Sequence, residues 1–101
     1  MIKGCIWSCD IENDGIEKLK YVRDRYYFSG INVTREVYRK NNSWIELENG
    51  DQWRVASACE SSRGVRSNIA WIDSKCSKEF FNCVIRHTLI SYNSPCYYEF
   101  Y

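Results

Sequence analysis

An α/β fold built on a small mixed sheet, with α+β as the alternative, is the class this sequence predicts, and three observations carry the prediction. Two short apolar runs, residues 4–9 (GCIWSC) and residues 69–72 (IAWI), each stop on a carboxylate, Asp10 and Asp73. Such runs, bounded by turn-type residues, read as buried strands covered on both faces. Two further segments place apolar residues at helical spacing, each following one of those strands, and a strand feeding a helix opens a crossover unit. Between them, SWIELENGDQWRVAS (residues 43–57) is a hairpin pattern with Asn49-Gly50 at its tip. The prediction is a parallel centre made by the two apolar strands, an antiparallel hairpin flank and two helices.

Each element has a local reason. After the first strand, Asn13 or Asp14 can cap a helix, and Glu17 in its first turn favours the positive end of the dipole. Ile16, Leu19, Val22 and Tyr26 mark the inner face of that helix, Lys18, Arg23, Asp24 and Arg25 point to water, and Gly30 closes it. Residues 31–38 alternate, placing Ile31, Val33 and Val37 on one face of a half-buried strand, and Asn41-Asn42-Ser43 is a turn. In the hairpin, a loop of Asn49, Gly50 and Asp51 sets Leu47 opposite Trp53, Ile45 opposite Val55 and Glu46 opposite Arg54. A two-residue loop would mix the faces, because a one-residue slip turns every side chain over. After the 69–72 strand, Ser77 caps a second helix with Phe80, Phe81, Val84, Ile85 and Leu89 inward and His87 near its end as a structural histidine. Tyr92-Asn93-Ser94-Pro95 breaks the pattern, and residues 96–101 (CYYEFY) are a last strand or a packed aromatic tail.

Composition limits the functions. A chain of 101 residues makes one domain, 1–101, with a modest core, and 45% hydrophobic and 16% aromatic residues exclude disorder. Residues 1–40 hold eight Lys or Arg against six Asp or Glu, and residues 41–101 hold six against seven. Charge so evenly balanced gives weak support to nucleic-acid binding, which rests on a positive excess. Six cysteines, at 5, 9, 59, 76, 83 and 96, form no CxxC pair, and the single histidine, His87, is not clustered with two of them, so no zinc site is expected. Met1-Ile2-Lys3 leads straight into the first strand and no apolar run approaches membrane-spanning length. The expectation is a cytoplasmic protein with reduced thiols and no membrane partner. No Ser-His-Asp order, paired-carboxylate signature or HExxH motif points to an enzyme.

The hairpin tip Asn49-Gly50, the segment Ser61-Ser62-Arg63-Gly64, the strand Asn68-Ile69-Ala70-Trp71-Ile72-Asp73 and the helix ending Val84-Ile85-Arg86 come in that order. Residues 43–90 thereby resemble the middle of the P-loop ATPase domain of the large terminase subunit of tailed phages, the motor that packages DNA. Residues 3–30 are similar, more loosely, to the strand and helix between that family's two nucleotide motifs. The resemblance implies that Asp73 holds the magnesium-associated position. The family's water-activating glutamate is replaced by Ser74, the GxxxxGK[ST] phosphate loop has no counterpart, and no Gly-Lys pair occurs in the chain. These 101 residues also hold nothing like the family's nuclease domain.

The expected function is therefore non-catalytic: a phage or prophage protein on a degenerate motor core that binds a protein, for instance inhibiting a host defence protein, and takes no cofactor. Tyr97, Tyr98 and Tyr101 in the tail and Ser62, Arg63, Gly64 and Arg66 in the polar loop are the candidate contacts, since Tyr and Trp are favoured interface anchors and guanidinium groups with backbone amides suit anions. One alternative is half of a split ATPase, binding Mg-nucleotide with a partner chain that supplies the phosphate loop. The other is a phosphate- or nucleic-acid-binding module, its Ser61, Ser62, Gly64 and two arginines grouped at the carboxyl edge of the sheet.

Overall fold

Both apolar runs do lie side by side at the centre of a sheet, for the reason their composition suggests: each is covered from above and below. The computed structural model describes residues 1–40, 42–58, 66–89 and 96–101. β1 (Lys3–Ser8) pairs in parallel with β4 (Gln52–Ser57) on one side and with β5 (Ile69–Ile72) on the other. β2 (Val33–Arg39) and β3 (Asn42–Leu47) continue the sheet antiparallel beyond β4, and β6 (Tyr97–Phe100) closes the other side parallel to β5. The order across the six strands is β2-β3-β4-β1-β5-β6.

One helix covers each face. A wide π-helical turn, Ile11–Gly15, leads into α1 (Ile16–Phe28), whose Leu19 and Val22 pack on Ile6, Ile45, Leu47 and Trp53. The second helix runs through Lys78–Phe80, a π-helical turn Phe81–Ile85 and a last turn Arg86–Thr88. Its Ile85, with Phe80, Phe81 and Val84, packs on Cys5, Trp7, Ala70 and Ile72 from the opposite side. Burial is complete along Gly4 to Ser8, as a strand between two layers requires. Ser77 caps the second helix as expected, its Oγ accepting the Phe80 N–H at 3.1 Å. The first helix is capped earlier than expected. Asp10, rather than Asn13 or Asp14, accepts the Asn13 N–H at 3.2 Å, because the carboxylate ending β1 already stands over the first turn.

Two registers differ from the sequence pattern. The hairpin loop has three residues, but they are Glu48, Asn49 and Gly50, so Ile45 faces Trp53, Trp44 faces Arg54 and Glu46 faces Gln52. Leu47 N–H donates to Asp51 O at 2.9 Å and Gly50, at φ +93°, takes the left-handed place at the end of the loop. Asp51 is drawn out of the loop because its buried carboxylate is needed elsewhere: Oδ1 accepts Ile2 N–H and Oδ2 accepts Tyr26 Oη–H, both at 2.8 Å. Moving the loop by one residue changes the pairing by two, so the expected faces survive while the partners change. In β2 the pairing slips between Val33 and Arg35, leaving Thr34 as an extra residue whose hydroxyl donates to Glu46 O at 3.2 Å. That bulge puts Val37 opposite Trp44, on the face away from Val33, so Val33 and Val37 do not share a face.

Candidate functional site

In open α/β sheets the ligand crevice lies where neighbouring strands send their crossovers to opposite faces, at the strands' carboxyl ends. Here α1 leaves β1 over one face and the second helix leaves β5 over the other, so that point falls between β1 and β5, at Asp73. The crevice is closed by the main chain. Asp73 N–H donates to Trp7 O at 2.8 Å, its Oδ2 accepts Cys9 N–H at 3.1 Å and its Oδ1 accepts Lys75 N–H at 2.9 Å. Burial, at 7% exposure, pushes the Asp73 carboxyl up, but the Lys75 and Cys9 amides outweigh it and hold the group below the usual carboxylate range. Asp73 is thus an ionised brace between the ends of β5 and β1.

A magnesium ion does not fit this arrangement. Magnesium requires an octahedral set of oxygens, whereas both Asp73 oxygens serve backbone amides and the neighbouring Ser74 is exposed. Among the described residues no three His, Cys, Asp or Glu side chains converge as a metal site would need. Cys5, Cys83 and Cys96 are free thiols, and burial pushes the Cys5 thiol far up.

The anion-binding arrangement is also altered. Ser62, Arg63 and Gly64, with Ser61, lie outside the described residues. Arg66 is exposed but stands before the amino end of β5, where Asn68 N–H donates to Lys3 O at the start of β1. Arg66 and Asp73 therefore flank opposite ends of the strand, roughly 20 Å apart at the rise of an extended chain. The expectation of arginine at the carboxyl edge fails for Arg66, because a strand carries the residues before and after it to opposite edges.

Exposed aromatics lie on two elements, Tyr21, Tyr27 and Phe28 on α1 and Tyr97, Tyr98 and Phe100 on β6. Tyr97, Tyr98 and Phe100 are about half exposed. Tyr98 and Phe100 lie with Phe81 on one face, centroids 5.2 and 5.4 Å from it. On the other face Glu99 stands beside Trp71 in the β5–β6 register. There Glu17, Lys18 and Tyr21 of α1, with Trp71, Glu99 and Tyr101, line a groove of about 570 Å³. Tyr101 Oη donates to Asp14 Oδ2 at 2.8 Å, and burial together with that carboxylate pushes the phenol far up, so it stays a neutral donor. Lys18 Nζ lies 5.2 Å from the centre of the Tyr101 ring, and the Tyr21 and Trp71 rings are 6.2 Å apart.

Tyr97 and Tyr98 thus lie on β6 and Tyr101 directly follows it, with Tyr98 on the Phe81 face and Tyr101 on the α1 face. The sequence pattern gives Tyr21 and Trp71 no site role, places Glu17 at the helix dipole and Lys18 toward water, and includes Glu99 only as part of the aromatic tail, whereas all five line the groove. The spacing of Glu17 and Tyr21, four residues apart on a helix, was the only local signal.

No helix among the described residues is long and apolar enough to cross a membrane. Comparison with models of protein families, with curated proteins and with solved structures returns no match.

Proposed function

We propose that this chain is a non-catalytic binding module whose working surface is the outer edge of β6, to which a partner protein adds a strand. The contrast between the two sheet edges carries the reading. β2 is blunted in the usual ways, by a bulge at Thr34 and by Arg35, Glu36 and Arg39. β6 has no such bulge, one charge and three half-exposed aromatics. Tyr97 and Tyr101 turn their N–H groups inward, to Asn68 O and Ile72 O, so the parallel ladder leaves those of Tyr98 and Phe100 pointing outward. Among the described residues nothing pairs with those two groups, and outward groups on an aromatic edge are what strand addition uses.

The resemblance of residues 43–90 to the terminase motor supports a phage or prophage origin, with a host protein such as a defence factor as the candidate target.

Proline at position 98 tests the edge, since it removes an outward N–H without touching the ladder to β5. The native chain should retain a protein from host lysate and Tyr98→Pro should fold but lose it. Retention by the proline variant would move the surface elsewhere, and a native chain that retains nothing would end the binding reading.

The split-ATPase alternative finds no support at Asp73. Titration with Mg-ATP in a calorimeter is expected to give no saturable heat, and a saturable heat would restore that alternative.

A further inference from the structure

The groove beside β6 has a chemistry of its own, and we propose that it receives a cationic side chain, an arginine or lysine, carried by the strand that adds to β6. The inference rests on the edge reading above and names what the partner must present. A strand laid outside β6 places alternate side chains on the α1 face, directly beside Glu99. From there a long side chain reaches over Glu99 toward the Tyr21 and Trp71 rings, which sit 6.2 Å apart at 44°. Aromatic faces attract cations, and a carboxylate at the rim adds a charged hydrogen bond.

Three observations on the groove favour a cation over any other occupant. Its walls carry two carboxylates, Glu17 and Glu99, against one ammonium, Lys18. Glu99 is oriented by Tyr97, whose hydroxyl donates to Oε2 at 3.0 Å. The groove also already holds one cation of the chain itself, since Lys18 Nζ lies over the Tyr101 ring. Lys18 is therefore an internal competitor, which covers Tyr101 and leaves the Tyr21, Trp71 and Glu17 side for the incoming charge.

The probe is a short capped peptide of alternating threonine and valine with arginine at its centre, compared with the same peptide carrying glutamine there. Binding is followed by chemical-shift changes in the labelled protein. The arginine peptide should bind about tenfold more tightly, with shifts at Glu17, Tyr21 and Trp71. Glu99→Gln and Glu17→Gln should each weaken it about fivefold, while Glu79→Gln, on the second helix, should leave it unchanged. Lys18→Met should tighten it by about fivefold, an effect that loss of packing would not produce. Equal affinity for the two peptides would overturn the cation site while leaving strand addition intact. Failure of the arginine peptide to bind, or no tightening by Lys18→Met, would overturn it too, and loss of lysate retention by Tyr98→Pro would still report separately on the edge.

Discussion

Gly4→Ala is expected to lower the stability of this protein by about 3 kcal/mol, read as a fall in the urea midpoint at an unchanged slope. Gly4 sits in the central strand directly beside Trp53 in the β1–β4 register. A Cβ on Gly4 would fall inside the van der Waals radius of the Trp53 ring atoms Cδ2, Cε3 and Cε2. The indole has little room to yield. It is buried, its Nε1–H donates to Tyr26 Oη at 3.2 Å, and its ring lies 5.4 Å from that of Trp71. Tyr26 in turn donates to the buried Asp51, so moving Trp53 disturbs a chain of hydrogen bonds that ties α1 to the hairpin. Burial pushes the Tyr26 phenol up to about 12, with Trp53 opposing the rise and Asp51 adding to it, which keeps Tyr26 a donor across the ordinary pH range. A smaller residue at 53 should recover part of the loss, so Gly4→Ala with Trp53→Leu should cost less than the sum of the two changes. A single-variant loss below about 1 kcal/mol would mean that the indole can slide aside.

Asp73→Ala should cost about 2 to 3 kcal/mol at pH 7, because it strips the partners from the Cys9 and Lys75 amides at the end of the central strands. The same substitution should flatten the acid side of the stability profile. Asp73 has a depressed pKa in the folded protein, so its contribution is fully present above the unfolded value of about 3.9 and is lost as the pH falls through the folded one. Unfolding by urea between neutral pH and the acid range would show the native chain losing this contribution and the variant lacking it throughout. A variant as stable as the native chain at neutral pH would mean that the carboxylate does not brace the crevice, and would reopen a ligand role for it.

The two substitutions act on neighbouring strands for different reasons, and the difference bears on what was legible beforehand. That residues 4–8 form a strand covered on both faces follows from their apolar run alone. That Gly4 must be glycine does not, because the reason is an indole 49 positions further along the chain. Asp73 was singled out from its place at the end of an apolar strand, and it does stand at the sheet's carboxyl edge. Its role as an acceptor for Cys9 depends on β1 and β5 lying side by side, and its neighbourhood lacks Arg66 because that residue leaves the strand at the other end. The hairpin was expected with the right loop length, yet the claim of Ile2 and Tyr26 on Asp51 moved the loop by one residue. The bulge at Thr34, which turned Val37 over, had no counterpart in the alternation of residues 31–38.

By itself the sequence determined the element order, the parallel centre, the inner face of the second helix, the Leu19, Val22 and Tyr26 face of α1 and the Ser77 cap, whereas Ile16 joins neither core cluster and Lys18 turns over Tyr101 rather than to water. Tertiary structure alone decided which strands flank that parallel pair, where the hairpin turns, that β6 ends the sheet, and that Glu17 and Tyr21 of α1 meet Trp71 and Glu99 across it. Pairing between distant segments is chosen by the packing of the whole sheet, and a groove made from a helix and two strands exists only after that choice.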